Sequence, residues 1–136
     1  MKKDLFQDRL GLHELWQSSG GSHGEQLVEL GLDFTGQMLD GRNLAGAVIP
    51  GAILKGMRLH NVDLYGANLG GADLSNTILV NVVLVKANLD NADLRGLKVI
   101  GGSWFRATCA EAQLDGLEFS GTNVASTYPD LATRIV

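Results

Sequence analysis

From Phe34 to Val124 an apolar residue returns at every fifth position without a slip. Counting by fives gives Phe34, Leu39, Leu44, Ile49, Leu54, Leu59, Leu64, Leu69, Leu74, Leu79, Leu84, Leu89, Leu94, Val99, Trp104, Cys109, Leu114, Phe119 and Val124. These are nineteen positions, of which twelve are Leu. A helix, with a period of about 3.6, and a flat strand, with a period of about 2, both lose a five-residue register within a few turns. A solenoid keeps it, and a fixed internal repeat outranks any propensity argument.

The other columns of the repeat each have a physical role. Two residues before the apolar column the chain is mostly small: Ala47, Ala52, Ala67, Ala72, Ala87, Ala92, Ala107 and Ala112. Residues two apart in extended backbone point to the same side, so the small and the large column share one interior. Two residues after the apolar column stand mainly Gly (Gly36 to Gly56, Gly66, Gly71, Gly96, Gly101, Gly116, Gly121) and Asn (Asn61, Asn76, Asn81, Asn91). These residues tolerate the positive φ that a tight corner demands. The remaining columns are polar or mixed, as solvent-facing positions should be.

The strings Ala67-Asn68-Leu69, Ala72-Asp73-Leu74, Ala87-Asn88-Leu89 and Ala92-Asp93-Leu94 resemble the A-(D/N)-L-x-x signature of the pentapeptide-repeat family. The resemblance implies an all-β, right-handed quadrilateral β-helix of about nineteen units, four per coil, with the Leu and the small residue inward. The expected organisation is an N-terminal cap over 1–31, the β-helix over 32–126 and a C-terminal cap over 127–136.

A solenoid needs closed ends, because bare terminal coils present apolar interior and unpaired strand edges. Residues 3–17 read as a short amphipathic helix with Leu5, Phe6, Leu10, Leu15 and Trp16, stopped by the Ser/Gly run at 18–22. His13-Glu14-Leu15-Trp16, with Ser19, Gly20 and Gly24, is similar to a lead-in that precedes bacterial repeat tracts. From Pro129 to Val136 two helical turns are expected, with Leu131, Ile135 and Val136 covering the last coil or a second subunit. Gln37 and Arg42 occupy the small inward column of the first coil, and both should reach the N-terminal cap, through carbonyls, Glu25 or Glu29. Gly102 beside Trp104 reads as an exchange of volume within one layer.

Signals of chemistry are sparse. His13, His23 and His60 lack metal-ligand spacing with one another or with Cys109, so no metal and no cofactor are expected. Were a metal present, His60 with Asp40 would be the first pair to suspect. Asp73 and Asp93 stack on one open wall, a solvated arrangement rather than a catalytic pair. Cys109 lies in the inward column and reads as a reduced core residue, consistent with a cytoplasmic protein. Asp4, Asp8 and Arg9 interrupt any secretory core after Met1, and no apolar run approaches the ~18 residues of a membrane span.

The expected function is therefore non-catalytic and carried by surface: a binding or scaffold module for a protein partner. The family resemblance adds two alternatives. One is protection of DNA gyrase or another topoisomerase by imitation of duplex DNA, conferring resistance to quinolones or a self-made toxin. The other is a secreted effector or injection-system component. Nineteen units at four per coil give about 23 Å of rod, and duplex DNA of that length carries roughly 13–14 negative charges. Residues 32–126 hold nine acids and seven bases, a net of −2, which is a poor copy of DNA and gives no basic patch for binding it directly. Face membership follows from the twenty-residue spacing. Ile78, Val80 and Ile100 fall outward on one wall, and Tyr65, Val83, Val85 and Phe105 on the adjoining one. These seven residues are the expected partner-binding surface, for a foreign protein or for a homodimer.

Overall fold

A computed structural model describes residues 3–135, so the capping expected of Val136 lies outside the described residues. The chain forms a β-helix solenoid behind a single α-helix, α1 (Lys3–Ser18). Four short strands, β1 (Arg58–His60), β2 (Ile78–Val80), β3 (Lys98–Ile100) and β4 (Glu118–Ser120), stack in parallel with a strict twenty-residue register. Single parallel bridges at the same spacing run down the other sides, as in Asp63 to Val83 to Ser103 and Asn68 to Asn88 to Thr108. Each coil therefore has four walls. The first holds β1–β4, the second residues 62–66, 82–86 and 102–106, the third 67–71, 87–91 and 107–111, and the fourth 72–76, 92–96 and 112–116.

The corners fall every five residues at positive φ. Gly and Asn fill most of them, as the composition of that column requires, but Lys86 (φ 59°), Arg106 (φ 60°), Glu111 (φ 60°) and Ser126 (φ 56°) also adopt the left-handed region. For such side chains that conformation is strained.

The interior is one continuous apolar column. Every member of the five-spaced series is buried except Leu114, which lies in the last coil with no complete coil beneath it. Trp104 and Phe119 meet edge to face, with ring centroids 5.0 Å apart. Gly102 is required for a reason beyond volume: its φ is +72°, and a Cβ there would run into the backbone of Val82.

The coil begins earlier than the apolar series. Glu29 stands where the next apolar residue is due, yet Leu27 is buried, Gly31 makes the corner and Val28 bridges Val48. At the open end the fifth-position side chain faces the cap rather than another layer, and Glu29 pairs there with Arg9 at 2.7 Å. Phe6, Leu10 and His13 of α1 close the interior. Arg42 reaches the N-terminal cap and a carbonyl there, that of Gln7, as expected, but its carboxylate partner is Glu14 (3.0 Å) rather than Glu25 or Glu29, because α1 lies directly over that side of the coil. Gln37 Oε1 is buried without a partner among the described residues. The C-terminal tail makes only a short 3-10 turn, Ala132–Arg134, not two helical turns. Leu131 is buried, Ile135 bridges Phe119, and Arg134 donates to the Leu114 carbonyl at 2.8 Å.

Candidate functional site

The seven outward apolar residues occupy one edge. On the first wall Val80 registers with Ile100, flanked above and below by His60 and Ser120, while Ile78 lies between Arg58 and Lys98 in its own column. On the second wall Tyr65, Val85 and Phe105 follow at twenty-residue spacing, and the backbone carries the ladder through them: Gly66 N–H donates to Val85 O and Lys86 N–H to Phe105 O, each at 2.9 Å. Val83 bridges Asp63 above and Ser103 below. Tyr65 (43 % exposed) and Ile100 (46 %) stand most clear of the wall, while Ile78, Val80, Val83, Val85 and Phe105 are half-buried. The apolar surface is thus a shallow strip rather than seven protruding side chains.

Two cations border the strip. Lys86 Nζ lies 5.7 Å from the Tyr65 ring centroid and the Arg106 guanidinium 5.3 Å from that of Phe105, both within cation–π range. Both cations sit at the strained corners. The corner column made the sequence reading expect Gly or Asn there, and the departures at 86 and 106 were the available signal that these positions carry something besides a turn.

Hydrogen bonds separate structural polar residues from the rest. Where an Asp or Asn stands just before the inward apolar residue, it accepts the backbone N–H two positions on: Asp63 from Tyr65, Asn68 from Gly70, Asp73 from Ser75, Asn88 from Asp90, Asp93 from Arg95 and Asn123 from Ala125, at 2.8–3.1 Å. This is an Asx turn, and it explains why the motif asks for Asp or Asn. Asp40 and Asp90 cap His60 N–H and Ala110 N–H one coil below. Val83 lacks this cap, as does Ile53 on the fourth wall among Asp33, Asp73 and Asp93. In its column Asp63, Ser103 and Asn123 all cap the N–H two residues on, whereas Val83 has no polar atom to offer Val85.

Charge is unevenly shared. Counting each corner with the wall it closes, the first two walls between residues 32 and 126 hold five bases (Arg42, Arg58, Lys86, Lys98, Arg106) and three acids (Asp40, Asp63, Glu118), net +2. The third and fourth hold two bases (Lys55, Arg95) and six acids (Asp33, Asp73, Asp90, Asp93, Glu111, Asp115), net −4. Arg95 grips Asp93 through two bonds of 2.9 and 2.7 Å, and this hydrogen bonding holds the Asp93 carboxyl below its ordinary range.

Comparison with known proteins agrees with this architecture. Residues 58–96 match the family model for pentapeptide repeats in eight copies. The chain contains pentapeptide repeats. Its fold is similar to that of HetL, a pentapeptide repeat protein involved in heterocyst differentiation regulation from the cyanobacterium Nostoc sp. strain PCC 7120, with a TM-score of 0.69 and 26 % identity. The match covers 82 % of this chain and 46 % of HetL, so the chain spans less than half of that protein. A pentapeptide repeat protein of the Arabidopsis thaliana thylakoid lumen matches with a TM-score of 0.51 and 26 % identity, over 77 % of this chain and 68 % of that one. QnrB1, a plasmid-mediated fluoroquinolone resistance protein, shares the fold at 15 % identity and a TM-score of 0.50, over 75 % of this chain and 55 % of its own. No curated protein matches by sequence.

The repeats place few reactive groups together. Among the described residues no three His, Cys, Asp or Glu side chains are grouped to hold a metal ion, and no helix is long and apolar enough to cross a membrane. His60 Nδ1 lies 3.7 Å from Asp40, an exposed pair on the first wall. Cys109 is buried, and burial pushes its thiol up to about 11, away from thiolate chemistry.

Proposed function

We propose that this pentapeptide-repeat chain is a non-catalytic protein-binding module that docks a protein partner along the edge between its first and second walls, through Tyr65, Ile78, Val80, Val83, Val85, Ile100 and Phe105. Val83 carries the reading. At that position a polar residue would cap Val85 N–H, and an apolar one forgoes that bond while adding exposed hydrocarbon. Ile53 forgoes the same cap on the fourth wall, but among polar neighbours, whereas Val83 lies beside Tyr65, Val85 and Phe105, and that clustering supports binding at this edge. The strained cations Lys86 and Arg106 beside Tyr65 and Phe105 point to the same edge. This reading takes the coil as right-handed, with about nineteen units over 32–126 beneath the first rung at 27–31 and a cap at each end. Val83→Asn, combined with Val85→Ser and Phe105→Ser, should leave the coil folded while abolishing partner capture or self-association. A folded triple variant that keeps its oligomeric state by light scattering and every partner captured by the wild type refutes it.

A second reading, topoisomerase protection by imitation of DNA, is favoured by the net charge of −4 gathered on the third and fourth walls. Six of the nine acids in the coil are, however, bonded to backbone N–H groups, so their placement already has a structural reason. A gyrase supercoiling assay with and without a quinolone decides it: unchanged inhibition at excess protein removes this reading and leaves the first intact.

A further inference from the structure

The top of the solenoid is capped unevenly. Over the second wall α1 satisfies the backbone: Glu14 accepts Asn43 N–H at 2.9 Å, and His13 Nε2 meets the Ala45 carbonyl at 2.9 Å. The other ring nitrogen of His13 accepts Leu27 N–H at 2.9 Å, which anchors the start of the third wall. One residue later the capping stops. Glu29 N–H donates to Val48 O, and Val48 N–H donates to Leu27 O, both at 2.9 Å, so these groups of Leu27 and Glu29 face down into the coil. By the alternation of a strand the N–H and C=O of Val28 face up. Among the described residues neither group has a partner.

Val28 is thus the unoccupied top rung of the column Val28, Val48, Asn68, Asn88, Thr108, Tyr128, in which every rung bridges the next. A groove runs beside it, between α1 and residues 25–28, lined by Arg9, Leu12, Glu25, Gln26, Leu27 and Val28. Gly24 lets the chain pass close against α1 just before the groove, since a Cβ there would strike the Leu12 carbonyl and the Trp16 nitrogen. Val28 is 57 % exposed and Leu12 42 %. The fourth wall also has a top rung, Asp33, whose carboxylate is taken by the N–H and hydroxyl of Thr35.

We propose that this edge is a second docking site, which accepts an extended strand of a partner polypeptide lying parallel to residues 27–29 and extending the ladder by one rung. Main-chain pairing supplies the bonds and side-chain alternation supplies the selectivity, as in other strand-addition modes. An apolar side chain of the incoming strand packs on Leu12 and Val28. The charge of the surround favours a basic flank: Arg9 is neutralised by Glu29, which leaves Glu25 in the groove and Asp8 one turn before Leu12.

The test uses the full chain and a seven-residue probe, acetyl-Lys-Val-Thr-Val-Thr-Val-Lys-amide, with an analogue N-methylated at the three central residues. In the free protein the Val28 amide should exchange rapidly with solvent. Saturating probe should slow that exchange at least tenfold, and the N-methylated analogue should not. Val28→Pro, which deletes an N–H the fold does not use, should weaken probe binding at least tenfold with an unchanged melting temperature. Should that variant fail to fold, the exchange comparison of the two peptides decides alone. A Val28 amide already protected in dilute protein, or protection by the N-methylated peptide, overturns the proposal. Protection that instead grows with protein concentration, with a doubled mass by light scattering, assigns the edge to a second copy and overturns it equally. The Val83→Asn variant should bind the probe as the wild type does, so loss of one site is separable from loss of the other.

Discussion

Leu89→Ala tests whether the coil is clamped as rigidly as its ladder implies. Leu89 is fully buried on the third wall, between Leu69 one coil above and Cys109 one coil below. The rungs that hold it are short: Leu69 N–H to Asn88 O at 2.8 Å and Leu89 N–H to Thr108 O at 2.7 Å. Removing about three methylene equivalents costs about 2.4 kcal/mol in transfer free energy. The cavity adds about 1–2 kcal/mol, because walls tied every residue or two to the coils above and below cannot collapse into it. The expected loss is about 4 kcal/mol. Leu114→Ala, at a half-exposed position with no complete coil beneath, should cost about 1–2 kcal/mol, since the tail can settle into the space. Urea unfolding of both variants, followed by circular dichroism, measures the difference. Equal losses, or less than about 2 kcal/mol for Leu89→Ala, would show that the coils slide to fill voids and that the ladder does not set the cost.

Three further outcomes follow from the same geometry. His13 accepts Leu27 N–H on Nδ1, so the ring is neutral with its proton on Nε2, and burial lowers its pKa below 6.5. The unfolded chain takes up a proton near pH ~6.5 that the folded chain resists, so stability should be full above that pH and decline as it falls toward 5, a slope that His13→Leu should flatten. Gly102→Ala combines positive φ with a collision against Val82 and should lower stability by at least ~2 kcal/mol, whereas Gly121→Ala, at positive φ in open space, should cost only about 1 kcal/mol on thermal melting. Cys109, with its thiol pushed up to about 11 and fully covered, should resist a thiol reagent at pH 8 in native protein and react at once in denaturant.

The interior was legible in the sequence because one rule holds through most of it: an apolar residue, mostly Leu, at every fifth position and a small or medium one two before it, with Met57, Leu97 and Leu117 the larger exceptions. The ends were less legible because a different partner sets the rule there. Glu29 hides the first rung of the third wall, since at an open end an inward-facing carboxylate can meet Arg9 rather than a layer of leucines. The partner of Arg42 depends on where α1 lies across the coil, which the helix pattern alone does not state. Gly102 reads as a volume exchange in sequence, and only the approach of Val82 reveals its steric role. Lys86, Arg106, Glu111 and Ser126 take corner conformations because neighbouring rungs impose them, a tertiary override of residue preference.

The same accounting explains where function can reside on such a rod. In a unit of five, the apolar residue and the one two before it are committed to the interior, the residue two after it to the corner, and the residue just before it, where it is Asp or Asn, to the Asx cap. The residue just after the apolar one is least committed, although Asp40 and Asp90 there cap the coil below. On the second wall that column runs Tyr65, Val85, Phe105 and Ala125, apolar throughout, while on the fourth it reads Lys55, Ser75, Arg95 and Asp115, polar throughout. Strand propensity alone would not distinguish the two walls, because both ladders have the same spacing and the same bridges. On the fourth wall Ser75 and Arg95 bond to Asp73 and Asp93, whereas the apolar column of the second wall has no such bond to account for it. Val83, which lacks the cap, and the corner cations Lys86 and Arg106 lie with that column on one edge. Exchanging the residues of that column between the two walls should accordingly move partner binding to the other side of the rod while leaving the unfolding midpoint nearly unchanged.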